Sequence, residues 1–196
     1  GPFKVMYVPK GPALDYHDAV LVAHVLDHLQ GYARQQRAIW LKVDPDVIAA
    51  IGEPNTPDDT PDPLGIALMQ TLTARGWRFS NDQVQFRNTI TLDLTRSADA
   101  ILAAMSQNTR RKVRTAEKKG VTVRAATLDD LDTLYALYRE TGARDGFLIR
   151  PPDYYEKAWR DFMRAGLAQA FIAESDGQAI AHVILFHVAR TCWYFY

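Results

Sequence analysis

Residues 108–120, NTRRKVRTAEKKG, carry six arginine and lysine side chains around a single acid, Glu117. The whole chain has 23 acidic and 23 basic residues, so this excess of positive charge is local. If Thr109 ends one helix and caps the next, Arg110 and Arg111 begin a helix, where arginine opposes the helix dipole. A bound anion would reverse that cost, and free backbone N–H groups beside two guanidinium groups suit phosphate. The stretch therefore predicts a phosphate-binding site.

Two other interpretations of this stretch stay open. Val113 and Ala116 give the helix an apolar side, so Arg114 and the lysines could form a solvated face. Several basic residues on one helix also suit the phosphodiester backbone of RNA.

A second group of candidates lies in YVPKGPALDY, residues 7–16. Lys10 stands on a loop held by prolines, and loops on rigid scaffolds often carry function. We expect that Lys10 could contact an anion and that Asp15 could accept a proton or hold an ammonium group. The alternative is that Asp15 or Asp18 only begins a helix.

A third group is aromatic and lies in RETGARDGFLIRPPDYYEKAW, residues 139–159. Neighbouring side chains on a helix point in different directions, so Tyr154 and Tyr155 cannot both face the core. One of the two is expected to be available to a partner.

Several kinds of site are not expected. His24 and His28 stand four residues apart, but no third ligand is evident, so we predict no metal site. Cys192 is the only cysteine, which excludes an internal disulfide. These residues show no glycine-rich nucleotide loop, no signal-peptide pattern and no apolar run long enough to span a bilayer, and we expect no cofactor.

The elements that must position these candidates alternate between strands and helices. In the first half, the pattern predicts strands at 3–8, at 38–43 (buried) and at 84–94, and helices at 15–32 and 64–75. In the second half, Ser97 can cap a helix, and Asp176-Gly177 predicts a hairpin. The other elements expected there are a strand at 121–127, helices at 128–141 and 154–164, and a last strand at 192–196.

This order predicts an α/β fold with mixed sheets. In the second half, the order of a strand, two helices and an antiparallel meander is that with which an N-acyltransferase of the GNAT type begins. The first half looks like the latter portion of a similar domain. We therefore expect parts of two tandem GNAT-like domains, 1–83 and 84–196, in a chain that spans the junction between them.

The motifs together resemble the FemABX family, the aminoacyl-tRNA-dependent transferases that form peptidoglycan bridges. YVPKGPALDY resembles the first-domain motif, FRNTITLDL the strand that opens the second domain, and RDGFLIRPPDYY the aromatic loop. NTRRKVRTAEKKGV resembles TRxxxRxAxKxGV, which includes Arg114. The motifs follow the family's order through nearly the whole chain.

The resemblance implies a cytoplasmic enzyme that moves an amino acid from aminoacyl-tRNA to a stem-peptide amine. The acceptor would be a UDP-MurNAc-peptide or lipid II, and the lipid-linked form would bring the protein to the membrane surface. The family positions that hold the precursor's diphosphate match Thr109 and Arg110. Tyr155 or Tyr154 would line the peptide channel, and the same cleft would be faced by Tyr7, Lys10 and Gly11.

Some features stay open at this point. Asp15 is a candidate for steering the amine, although substrate or tRNA hydroxyls would serve equally. The helical-hairpin arm of some family members is absent, because LTRSADAILAAMSQNTRRKV runs directly into the next strand. The alternatives are a GNAT-type transferase with an acyl-CoA donor and a noncatalytic RNA-binding module. The transferred amino acid, the acceptor residue and the oligomeric state are not specified by these residues.

Overall fold

A computed structural model describes residues 3–196 of the chain. The chain divides into two compact units, one extending to Thr91 and the other beginning at Leu92. Each unit mixes helices with small sheets, which confirms the α/β class expected from the sequence. The division falls within the second domain predicted from residue 84.

The first unit is built around a parallel pair of strands. Strand β1 (Lys4–Val8) pairs with β2 (Ala38–Val43), and helix α1 (Ala19–Gln35) connects them. At the end of the pair, Val8 lies opposite Val43. Because the strands are parallel, the loops that follow them leave the same edge of the sheet.

The remainder of this unit packs a second helix onto the first. A two-stranded hairpin of β3 (Ala50–Ile51) and β4 (Thr60–Pro61) leads into α2 (Pro63–Ala74). Gly65 lies so close to the backbone of Ile48 that a Cβ atom there would clash. The core consists of three buried side chains and five half-buried ones, namely Val22, Leu26 and Leu68 with Leu14, Tyr16, Val47, Leu72 and Trp77.

The second unit contains four helices and an antiparallel sheet. The helices are α3 (Ala98–Ala104), α4 (Gln107–Lys118), α5 (Leu131–Asp145) and α6 (Pro152–Arg164). The sheet has the order β5-β6-β7-β8, formed by Thr122–Ala125, Ala168–Ser175, Gln178–Val188 and Thr191–Tyr194. A 3-10 turn at Leu128–Asp130 leads into α5.

The turn between β6 and β7 is the hairpin that the sequence predicted. Asp176 and Gly177 have φ values of 51° and 75°, the left-handed conformation that two-residue hairpins require. The sheet and helices enclose a core in which Leu134, Trp159 and Ile172 are fully buried. Apolar burial on this scale is the main source of stability for such a unit.

Two predictions about strands are wrong. Residues 84–94 form no strand, and Phe86 and Ile90 are 95% and 97% exposed. An extended segment needs a neighbour for its backbone N–H and C=O groups, and none of the described strands pairs with it. Strand β2 was expected to be buried, but Ile39 and Trp40 are exposed, because β1 is its only partner in the described part of the chain.

The start of α1 also differs from the prediction. The helix begins at Ala19 rather than at Asp15, and Asp18 is its N-cap. The Asp18 carboxylate accepts hydrogen bonds from the backbone N–H groups of Val20 and Leu21, at 3.0 and 2.9 Å. Asp18 thus takes the helix-start role that the sequence left open between two aspartates.

Candidate functional site

The basic stretch forms α4, whose N-cap is Ser106 rather than Thr109. The Ser106 hydroxyl accepts the N–H of Thr109 at 3.2 Å, and its backbone carbonyl accepts the N–H of Arg110 at 3.0 Å. The predicted cap at Thr109 is therefore wrong. The amide of Arg110 is already hydrogen-bonded, so this N–H group cannot contribute to an anion site.

The guanidinium group of Arg110 has a partner in the preceding helix. Its Nη1 donates to the backbone carbonyl of Ala103 at 2.8 Å and to that of Met105. These carbonyls lie at the C-terminal end of α3, where unpaired oxygens and the helix dipole favour a cation. No anion is needed to explain the position of this arginine, so the reason inferred from the sequence is wrong: α3 already supplies a favourable partner.

The same contacts fix the orientation of the Arg110 guanidinium group. The side chain is half-buried, and its Nε and Nη2 groups make no hydrogen bond within residues 3–196. Neither atom is among the buried polar atoms of that range that lack a partner, so both keep access to solvent. A guanidinium held by one nitrogen can offer its other edge to two oxygens of a phosphate.

Two further arginines lie beside this group. Arg111 is exposed and donates from Nη2 to the Asn108 side-chain oxygen at 3.2 Å. Arg114 is exposed and lies one helical turn after Arg110, on the same side of α4. In the part of the chain that the structure describes, none of these three arginines forms an ion pair with an acid. The helix start therefore carries concentrated, uncompensated positive charge.

In the first unit, the candidate residues gather where the two parallel strands end. The hydroxyl of Tyr7 donates to Asp44 Oδ2 at 3.1 Å. The backbone N–H of Asp44 donates to the carbonyls of Val8 and Gly11, at 3.2 and 3.1 Å. Burial, followed by the hydrogen bond and the charge of Asp44, raises the pKa of Tyr7 above its ordinary value. Asp44 thus connects β2 to the loop that follows β1.

Lys10 and Gly11 have different positions on this loop. Lys10 is exposed, has a φ of 49° and forms an ion pair with Asp46 at 3.2 Å. Gly11 is buried, and a Cβ atom there would lie 3.3 Å from Val8 Cγ1. Gly11 can therefore present only its backbone and shapes the loop that carries Lys10.

Asp15 lies in a turn ahead of α1. One of its carboxylate oxygens accepts the backbone N–H of His17 at 2.9 Å, and its backbone carbonyl accepts the N–H of Asp18 at 3.3 Å. The side chain is exposed. Asp15 is therefore accessible to a ligand while it also stabilises the turn.

Asp44, Asp46 and Tyr16 belong to this group but were missed in the sequence. The Tyr16 hydroxyl donates to the carbonyl of Pro12, and burial, with a smaller effect from Asp46, raises its pKa. The Asp44-Pro45-Asp46 stretch directly follows β2. Treating β1 and β2 as a parallel pair would have placed these acids beside Lys10, because parallel strands end at the same edge.

In the second unit, the two tyrosines of α6 have different environments. Tyr155 is 5% exposed, and its hydroxyl accepts the backbone N–H of Arg150 at 3.1 Å. Tyr154 is 48% exposed, and the Arg150 guanidinium lies over its ring, 4.7 Å from the centroid. The two rings therefore do not both face the core, as the sequence predicted, and Tyr154 is the exposed one.

Tyr155 belongs to an aromatic cluster. Its ring centroid lies 5.1 Å from that of Tyr138 and 5.3 Å from that of Trp159. Burial, and then the neighbouring Tyr155, raise the pKa of Tyr138 to about 12. The exposed ring of Tyr154 packs edge-on against this cluster, with its centroid 5.2 Å from that of Tyr155.

Two classes of feature are not found in the described residues. No group of three His, Cys, Asp or Glu side chains between residues 3 and 196 is arranged to hold a metal ion. The His28 ring instead stacks on Tyr32, with centroids 6.5 Å apart. Over the same range, every helix is too short or too polar to cross a bilayer.

The family, sequence and structure comparisons all find proteins of one family. The FemAB family profile matches residues 1–182. A lipid II:glycine glycyltransferase of Staphylococcus aureus is 29% identical over 182 residues, which cover 89% of this chain and 40% of that protein. The crystal structure of FemX superposes with a TM-score of 0.70 and 29% identity, covering 89% of this chain and 42% of that one. The chain thus spans about two fifths of the length of the relatives it matches. Because the family profile matches most of its residues, the chain belongs to the FemAB family.

Proposed function

We propose that the protein is an aminoacyltransferase that forms peptidoglycan bridges. It would move an amino acid from aminoacyl-tRNA to the stem-peptide amine of a cell-wall precursor. Family membership supports the reaction class, and the glycyltransferase relative, named for lipid II, supports a lipid-linked acceptor over a UDP-linked one. The observation that carries the proposal is Arg110, which is fixed at one nitrogen and open along its Nε–Nη2 edge.

On this proposal, the start of α4 binds the diphosphate of the precursor. Arg110 would grip two phosphate oxygens with its open edge, because a planar fork matches that geometry better than an ammonium group. Arg111 and Arg114 would neutralise the remaining charge, and the Thr109 hydroxyl would add a neutral hydrogen bond. The backbone N–H of Arg110 is assigned no role, since Ser106 already accepts it.

We assign binding of the stem peptide to Tyr154, the exposed tyrosine of α6. Tyr154 would contact it directly, while Tyr155 would act as a positioning residue from the core beneath. In the first unit, the Tyr7 hydroxyl oxygen would accept a hydrogen bond from the substrate, since its own proton is donated to Asp44, Lys10 would donate one, and Gly11 would set the path of the loop.

The reaction depends more on orienting the amine against the ester than on activating either group. The amine attacks the ester carbonyl of the aminoacyl-tRNA, the amide C–N bond forms, and the ester C–O bond breaks. The amine proton is transferred to the departing ribose oxygen, so atoms and charges balance. An aminoacyl ester is already activated, and holding the two reactants together supplies much of the rate enhancement. Asp15 is the candidate that steers the amine, and the reaction needs no cofactor.

The fold and the location follow from the same proposal. We infer that both units are GNAT-like, and the support lies in the second unit, which runs from a strand through helices to an antiparallel meander. A cytoplasmic location agrees with the use of aminoacyl-tRNA, which is made there.

Isothermal titration calorimetry with a UDP-MurNAc-peptide tests the acceptor site. We expect Arg110→Ala to weaken binding by about 10- to 100-fold, as for loss of charge-assisted hydrogen bonds. Arg114→Ala should also weaken binding, but it leaves the contacts of Arg110 with α3 intact. Weaker binding by this variant would therefore reflect a lost ligand contact and not a disturbed helix pair. Arg139→Ala, an exposed arginine on α5, is the control and should bind as the native protein does.

A transfer assay tests the donor. Incubation with glycyl-tRNA and other aminoacyl-tRNAs should add one amino acid to the precursor, detected by mass spectrometry. Acetyl transfer from acetyl-CoA, without aminoacyl transfer, would instead identify an ordinary GNAT-type acetyltransferase and overturn the proposal.

A further inference from the structure

Arg150 lies in the loop between α5 and α6, and its main chain is held on both sides. Its backbone N–H donates to the hydroxyl of Tyr155 at 3.1 Å, and its backbone carbonyl accepts the hydroxyl of Tyr135 at 3.4 Å. These two tyrosines belong to different helices, α6 and α5. Pro151 follows, and a proline restricts the residue before it to extended conformations. The point at which the Arg150 side chain leaves the loop is therefore fixed.

The guanidinium group of Arg150 is placed by the ring of Tyr154. It lies 4.7 Å from the ring centroid, and this ring packs edge-on against Tyr155 of the core. A cation–π contact engages the charge of a guanidinium group but none of its N–H donors. The side chain of Arg150 is exposed and makes no hydrogen bond within residues 3–196. Its N–H groups therefore remain available to a ligand.

The combination of these contacts distinguishes Arg150, whereas the lack of an ion pair does not, because many cations of the described chain have none. The other cation–π contact found in residues 3–196 differs in its donors. Arg87 lies over Phe79 at 4.8 Å, but its Nη2 also donates to the carbonyl of Ser80 at 3.3 Å. Arg150 has a fixed main chain, a fixed charge and free donors, and such preorganisation suits the recognition of a ligand.

A carboxylate is the anion that fits this arrangement. Two N–H groups of one guanidinium match the two oxygens of one carboxylate, and the resulting pair is neutral. The acids that follow Arg150 in the sequence, Asp153 and Glu156, form no ion pair with it. A diphosphate carries more negative charge than a single arginine neutralises, and it is assigned to the three arginines of α4.

We propose that Arg150 binds a carboxylate group of the stem peptide and selects peptides in which this group is free rather than amidated. This inference rests on the proposed function, in which Tyr154 contacts the same peptide. A carboxamide has no charge, and it replaces one acceptor oxygen by N–H groups that would face the donors of the guanidinium. A site built to pair a polar group discriminates strongly against an analogue that leaves its partner unpaired. Arg150 is thus a specificity-determining residue.

Isothermal titration calorimetry of the full chain with three ligands tests the proposal. The ligands are a UDP-MurNAc-peptide with all carboxyl groups free, the same compound amidated at its C-terminus, and the same compound amidated at its side-chain carboxyl groups. The two amidated forms separate the two sources of a carboxylate in a peptide. Each ligand is titrated into the native chain, into Arg150→Gln and into Arg164→Gln. Arg164→Gln is the matched control, because it removes an exposed arginine from the last turn of α6. Circular dichroism verifies that each variant is folded.

We expect the native chain and the Arg164→Gln control to bind at least one amidated form about 10- to 100-fold more weakly than the free form. Arg150→Gln should bind the free form as weakly as the native chain binds that amidated form, and all three ligands with similar affinity. Native discrimination in a folded Arg150→Gln variant would overturn this inference, as would equal binding of the three ligands by the native chain, and both results leave the diphosphate site unaffected. A native chain that binds none of the three ligands would overturn the proposed function together with this inference.

Discussion

Arg110 of α4 donates from Nη1 to the carbonyl of Ala103, 2.8 Å away, and thereby closes the C-terminal end of α3. One guanidinium group therefore links two consecutive helices while its other edge stays open. A structural contact and a ligand contact need not compete, because they use different nitrogens of the same planar group.

Replacement of Arg110 should affect stability as well as binding. Arg110→Ala removes the hydrogen bonds to α3, and we expect the free energy of unfolding to fall by about 1–2 kcal/mol. Urea denaturation followed by circular dichroism measures this loss. Arg114 makes no such contact, so the Arg114→Ala variant should have the same midpoint urea concentration of unfolding as the native protein. Equal destabilisation by both variants would contradict the bridging role of Arg110.

The neighbouring tyrosines should behave in opposite ways. Tyr155→Ala empties a buried site and is expected to cost about 3–5 kcal/mol of stability. Tyr154→Ala removes an exposed ring and should cost less than about 1 kcal/mol, while it weakens binding of the muropeptide. Thermal unfolding and calorimetry measure the two effects. Native peptide affinity in a folded Tyr154→Ala protein would remove this residue from the proposed channel.

The link between Tyr7 and Asp44 can be measured directly. A double-mutant cycle with Tyr7→Phe and Asp44→Asn should show coupling in unfolding, with the double variant losing less stability than the sum of the two single variants. Tyr16→Phe with Asp44→Asn is the control cycle, because the Tyr16 hydroxyl donates to Pro12 instead. Additive effects of Tyr7→Phe and Asp44→Asn would show that the contact is absent in solution.

The second unit should lose stability in acid through Asp130. Hydrogen bonds from Arg124 are the main cause that holds the pKa of Asp130 far below its ordinary value of 3.8. The contribution of this carboxylate is therefore complete above about pH 5 and is lost as the pH falls further, when the unfolded chain takes up protons first. Asp130→Asn should flatten the decrease in unfolding free energy below pH 4, as measured by urea titrations. Asp129→Asn, next to it and without an ion pair, should retain the native slope.

Local signals in the sequence predicted most of the elements correctly. Asp176-Gly177 predicted its hairpin because two-residue turns need left-handed conformations that these residues adopt readily. The segment 84–94 shows the limit of such signals. Its alternating pattern is that of a strand, but a strand forms only where another backbone pairs with it, and a sequence pattern does not contain that partner.

The sequence by itself determined the α/β class, the ordered motifs of the family, the concentration of charge at 108–120 and the fact that one of two adjacent tyrosines faces outward. Tertiary structure decided that this tyrosine is Tyr154, that Arg110 contacts the carbonyls of α3, and that Asp44 meets Tyr7. The physical reason is distance along the chain. Helix periodicity and turn preferences depend on neighbouring residues, whereas the partner of a side chain such as Tyr7 lies 37 residues away and is fixed only when the strands pair.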